Sequence, residues 1–115
     1  MKIEWAYLRK GWQASKKAQE FLDANKIDIE NITYARKQRY DENAAWDLIS
    51  GAGEIITAKG KKVQKWNPQK DDKQSILKQV MGPTTNLRVP VLHFNDVFVV
   101  GFNQEAYEEH LKGKG

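Results

Sequence analysis

The stretch YLRKGWQASKKAQEFL, residues 7–22, has the layout of a site that needs a nucleophile at a helix start. An apolar run ends at Leu8, a basic loop turns at Gly11, and helical spacing of apolar residues opens near Ser15. Such a unit suits a thiolate, because the free amides at a helix N-terminus stabilise an anion and lower the pKa of a thiol placed there. The chain contains no cysteine, so that chemistry lacks its reacting atom. Ser15 is expected to be the N-cap of the helix, its oxygen accepting a backbone N–H. No histidine or aspartate in the nearby sequence supplies a base that would make it a nucleophile. Lys16 and Lys17, in a first helical turn, oppose the macrodipole. Together with Arg9, Lys10 and the exposed amides they offer an anion-binding pocket.

Other chemistry-bearing residues are sparser. His93 falls on an expected strand and His110 on an expected helix, and without cysteine neither has the spacing of a zinc site, so no metal is expected. The segment KGKKVQKWNPQKDDK, residues 59–73, interleaves lysines with Trp66 and could hold phosphates with a base stacked on the indole. Asp71 and Asp72 dilute its charge and no nucleic-acid motif accompanies it, so an exposed, solvated loop is expected and nucleic acid is not.

Composition narrows the setting. A chain of 115 residues suits one domain, expected to span 1–115, and 40% hydrophobic with 30% charged residues suits a folded chain. No apolar run reaches the 18 or so residues of a membrane span, and the N-terminal MKIEW lacks the apolar core of a secretion signal. A cytoplasmic protein with no membrane partner is therefore expected. The formal charge of +4 comes largely from the lysine-rich middle and a Lys-Gly tail.

The elements that would position the site follow from periodicity. Ile3, Trp5 and Tyr7 alternate as a strand, then Ala14, Ala18, Phe21 and Leu22 recur at helical spacing until Asn25-Lys26. Residues 28–34, with Ile29, Ile32 and Thr33, read as a second strand, which makes a βαβ unit and requires a right-handed crossover if the strands are parallel. Asp41 caps a helix carrying Ala45, Trp46, Leu48 and Ile49, ended by Gly51 and Gly53. A further helix runs from Asp72 to about Met81, where Gly82-Pro83 stops it. Residues 89–94 and 97–100 form a hairpin broken at Asn95-Asp96, and a last helix from about Asn103 carries Ala106, Tyr107 and Leu111.

This order of elements, with WQASKKAQEFLDANKIDIENITY, AKGKK and RVPVLHFNDVFVVGFNQEAYEEHL, resembles the arsenate reductase and Spx regulator family of the thioredoxin/glutaredoxin fold. The resemblance spans nearly the whole chain. It implies a thioredoxin-like α/β fold with a small mixed sheet of about four strands, built as β-α-β, a helical insert, a β-hairpin and a C-terminal helix. It also implies a cis peptide bond before Pro90, beside which such proteins pair an extended peptide or glutathione. In the family the nucleophilic cysteine lies three positions before the residue matching Ser15, and that position here is Trp12. The arginine that reductases place directly before the loop proline is Val89, with Arg88 one place earlier, and Lys59 stands where the family has another arginine. Nucleophile and oxyanion clamp are both altered, so no intrinsic thiol-disulfide or arsenate reductase activity is expected.

The degenerate site implied is Trp12, Ser15, Lys16, Arg88, Val89 and Pro90, with Arg9, Lys10 and Lys59 as further anion contacts. Trp12 either plugs the vacated groove, the favoured expectation, or anchors a partner's peptide. The first functional reading is a redox-inactive regulatory module that binds a protein or an anion, as Spx regulators contact RNA polymerase. The second is an oxidoreductase or transferase whose thiol comes from bound glutathione. Third is nucleic-acid binding through residues 59–73.

Overall fold

The computed structural model describes residues 2–82 and 85–111. In chain order these form β1 (Lys2–Ile3), β2 (Trp5–Leu8), α1 (Gln13–Ala24), β3 (Asp28–Ile29), β4 (Ile32–Tyr34) and α2 (Glu42–Ile49). There follow β5 (Glu54–Lys59), β6 (Lys62–Trp66), α3 (Lys73–Val80), β7 (Val91–Phe94), β8 (Val97–Val100) and α4 (Gln104–Leu111). The Pro83 helix stop, Met1 and the Lys-Gly tail lie outside the described residues. Among the described residues no helix is long and apolar enough to cross a membrane.

Polar side chains cap the starts of α2, α3 and α4. Asp41 Oδ1 accepts the Ala44 N–H at 2.9 Å, Asp72 Oδ2 accepts that of Ser75 at 2.9 Å, and Asn103 Oδ1 accepts that of Ala106 at 2.9 Å. Each satisfies an amide that the first helical turn leaves without a partner.

The sheet corrects the expected architecture. Among the described residues it has six strands in the order β4-β2-β7-β8-β5-β6, with β1 and β3 as a separate two-stranded pair, rather than about four strands. The four expected strands lie side by side as β4-β2-β7-β8, and the added pair is β5 with β6, hydrogen-bonded onto β8. Strand β5 carries the buried run Ile55, Ile56, Thr57 and Ala58 and runs parallel to β8 and antiparallel to β6. Gly60, at φ +61, turns the chain between them. The segment 59–73 is therefore not a loop throughout: its first part is edge strand β6, where Lys62 and Lys65 are exposed. Charged side chains on an edge strand discourage pairing with another chain. By composition alone the same lysines suit a solvated loop.

The first two strands are also interrupted. The parallel pair β1 with β3 gives way to the parallel pair β2 with β4 across Glu4 and residues 30–31, while the Ala6 N–H still donates to the Asn31 carbonyl at 2.9 Å.

Alternation along the central strands splits the core. Tyr7, Ile55, Val91, Phe98 and Val100 pack on one face of the sheet with Ile49 of α2 and Ile76 and Val80 of α3. Ala6, Leu8, Ile56, Leu92 and Val99 pack on the other with Ala18, Phe21 and Leu22 of α1 and Tyr107 and Leu111 of α4. The sheet is thus covered on both faces. Its loops at the C-terminal end of β2 and before β7 are what bring the expected site residues together.

Candidate functional site

Strand β2 ends at Leu8, and Gly11, at φ +84, turns the chain so that α1 can start at Gln13. Trp12 takes the N-cap position by backbone alone: it is extended, its carbonyl accepts the Lys16 N–H at 3.0 Å, and its side chain makes no cap bond. Ser15 is not the N-cap. It sits inside the first turn, 2% exposed, and its Oγ accepts the Arg9 backbone N–H at 3.1 Å. The hydroxyl ties the loop to the helix and is used up structurally.

Trp12 is 45% exposed, and the Arg9 guanidinium lies 4.6 Å from the centre of its ring. The indole therefore lines an opening instead of plugging it, and the stacked cation holds it at the rim. The opening is a cavity of about 240 Å³ walled by Arg9, Trp12, Ala35, Asn86, Arg88 and Val89, with Ala14, Gly82 and Leu87 completing it.

Arg88 is half-buried, and burial lowers its pKa from the ordinary value. Its Nη1 donates to the Gln79 carbonyl at 3.1 Å and its Nη2 to the Ala58 carbonyl at 2.9 Å. The side chain thus clasps the end of α3 to β5. A guanidinium has five N–H donors, so the clasp leaves others for a ligand. Asn86, 9% exposed, accepts the Tyr40 N–H on Oδ1 at 2.7 Å and donates from Nδ2 to the Tyr7 hydroxyl at 3.2 Å. Tyr7 in turn donates to the Gln38 carbonyl, and burial is the main cause that raises its pKa. This network fixes the Asn86 part of the cavity wall. Asn86 has no sequence signal, because both partners of its side chain are distant in the chain.

Of the expected residues, the structure brings Arg9, Trp12, Arg88 and Val89 to one cavity. Others stand apart. Lys16 is exposed on α1 and outside the lining. Pro90 follows a cis bond, is buried, and its carbonyl accepts the Gly101 N–H at 2.8 Å. Lys10 lies over the Tyr34 ring, 5.2 Å from its centre, in a neighbouring cleft with Arg36 and Lys37. Lys59 ends β5 opposite Lys62, in neither place. His93 stacks on Phe98, and the His110 Nε2 is 3.4 Å from Glu109. Among the described residues no group of three or more His, Cys, Asp or Glu could hold a metal.

Chemically, the cavity presents two guanidinium groups and an indole face, with no carboxylate among its described lining residues. That set attracts an anionic oxygen group carried on an apolar or extended stem. In comparison with known proteins, no protein-family model matches the chain and no curated protein sequence matches it.

Proposed function

We propose that this chain is a cytoplasmic, redox-inactive binding module whose Arg9–Trp12–Arg88 cavity receives an acidic side chain of an extended partner peptide. One observation carries the reading: two arginines and an exposed indole converge on a cavity with no acidic residue among its described walls. The likeness to Spx regulators in RVPVLHF and in the sequence Ser15-Lys16-Lys17-Ala18 supports a protein as the source of the anion. With no sulfur nucleophile in the chain, recognition is the chemistry its own residues support.

The test is fluorescence anisotropy of a labelled, extended glutamate-containing peptide, run beside a glutamine-substituted copy, at low and high salt. Trp12→Ala and Arg9→Gln, each checked for folding, are expected to weaken binding by about fivefold to thirtyfold. The glutamine peptide is expected to bind as weakly as the Arg9 variant does with the acidic one. Equal affinity for both peptides, or binding untouched in both variants, removes the proposal. Arg88 is left intact because its clasp serves the fold.

A further inference from the structure

Strand register lines up a second set of rings away from that cavity. Trp5 on β2 lies opposite His93 on β7, and His93 lies opposite Phe98 on β8. Directly opposed residues on neighbouring strands point to the same face of a sheet, so the three rings form a ribbon across three strands. His93 and Phe98 stack with centres 4.1 Å apart and planes 8° apart. Phe98 and Tyr40 each meet Trp5 nearly at right angles, at 6.5 Å and 76° and at 6.2 Å and 78°. The indole itself is fixed, donating from Nε1 to Thr33 Oγ1 at 2.9 Å and lying parallel to Tyr7 at 5.8 Å.

The rings of Trp5, Tyr40, His93 and Phe98 also share an opening. With Leu48 and Ala52, from α2 and the turn after it, they border a cavity of about 390 Å³ that also takes in Asp96. The position of Asp96 is set by backbone. Asn95 and Asp96, at φ +47 and +64, make the tight β7–β8 turn, whose paired left-handed residues suit asparagine and aspartate. The Asp96 carbonyl accepts the Gly53 N–H at 3.0 Å, docking the turn against the segment after α2. A Cβ on Gly53 would stand 2.7 Å from Asp96 Oδ2, so the carboxylate rests against Gly53 and a larger residue there would displace it. Among the described lining residues Asp96 alone carries a formal charge, and it forms no ion pair with any described residue. A lone carboxylate beside perpendicular ring faces, in a chain of net charge +4, is a local site of the opposite sign.

We propose that this cavity binds a small quaternary ammonium compound. A methylated ammonium is weakly hydrated and is attracted by ring quadrupoles, and a nearby carboxylate adds to that attraction. A bare metal ion would find one carboxylate ligand and an imidazole, too few for a cation site. A flat anion would meet Asp96. The site shares no lining residue with the Arg9–Trp12–Arg88 cavity, so the two proposals stand or fall separately.

The experiment is an NMR titration of the whole nitrogen-labelled chain with choline chloride. Parallel arms use the uncharged isostere, in which carbon replaces the nitrogen, and sodium chloride. A saturable shift is expected at the Trp5 indole N–H, assigned by its loss in Trp5→Phe, and at the Gly53 and Asp96 amides. The isostere should bind about tenfold more weakly or worse, and Asp96→Asn should weaken choline about threefold to tenfold. Asparagine is tolerated at positive φ, so that variant keeps its turn. Equal binding of the isostere, shifts centred on Trp12, absence of saturation at tens of millimolar, or unchanged affinity in folded Asp96→Asn each overturns the proposal. The isostere comparison uses the unmodified protein and decides the matter even if the variant fails to fold.

Discussion

Replacing Gly101 by alanine adds one methyl group and should remove a large part of the stability. Gly101 follows β8 at φ +98, a conformation that costs an L-residue about 1–2 kcal/mol. The added Cβ would stand 2.1 Å from the Ala58 carbonyl oxygen, 3.1 Å from its carbon and 3.2 Å from Arg88 Nη2. Neither side can yield easily. Ala58 belongs to β5, paired on one side with β6 and on the other with β8, and its carbonyl accepts Arg88 Nη2. Gly101 donates to the Pro90 carbonyl at 2.8 Å and accepts the Tyr107 hydroxyl at 3.1 Å. Forcing atoms into such a place costs about 1–3 kcal/mol, and disturbing the charged hydrogen bond of Arg88 about 1.5 more. The expected total is about 4 kcal/mol or above, against a typical domain stability of about 5–15 kcal/mol. Two sister variants calibrate the argument. Gly60→Ala, at φ +61 with open space around it, should cost about 1 kcal/mol. Gly51→Ala, with open space and no positive φ, should be neutral or stabilising by up to about 1 kcal/mol. Urea unfolding followed by tryptophan fluorescence and circular dichroism measures all three. A Gly101→Ala loss within about 0.5 kcal/mol of Gly60→Ala would show that the methyl meets no fixed carbonyl, and the packing argument would fail.

Arg88→Met should cost about 2–3 kcal/mol, since the Gln79 and Ala58 carbonyls both lose a charged donor, and Arg88→Lys should recover only part because one ammonium cannot span both. A neutral Arg88→Met in urea unfolding would remove the clasp from the account. Alkali should destabilise the fold: burial raises the pKa of Tyr7 and Tyr107, so their contribution is complete below the unfolded phenol value of 10.0 and falls as pH rises above it. Tyr107→Phe should lower stability at neutral pH by about 1 kcal/mol yet flatten the decline above pH 10, read from urea midpoints between about pH 8 and 11; an unchanged alkaline slope would contradict it.

How much of the fold is legible in the sequence depends on where each signal is stored. The β7–β8 hairpin was legible because Asn95 and Asp96 are residues that accept positive φ, and α2 and α3 were legible because Asp41 and Asp72 cap them. Strands β5 and β6 were not. Ile55, Ile56 and Thr57 are a short apolar run after a glycine-rich turn, and the pairing that buries them lies with β8, some forty residues onward. On β6 the lysines belong to an edge facing water, where charge is compatible with a strand, so composition pointed to a loop. Glu4 and residues 30–31 hid the break between the two parallel pairs, because the alternation of Ile3, Trp5 and Tyr7 runs through it.

At the site, an N-cap three residues earlier, Trp12 in place of Ser15, separates expectation from structure. With Trp12 as the N-cap and α1 beginning at Gln13, Ser15 lies inside the first turn, where its hydroxyl is a buried link with Arg9 in place of a cap. The same shift puts Trp12 at the N-cap position, where its side chain stands at the rim. Its charge makes Arg88 an anion-contact candidate in the sequence, but in the fold two carbonyls hold it first. A residue that both builds the wall and faces the cavity cannot report on binding when it is removed. Arg9 is attached to the fold through its backbone amide, and its guanidinium rests on the Trp12 ring. It is the position at which the cavity can lose a positive charge while Ser15, Asn86 and the Arg88 clasp stay in place.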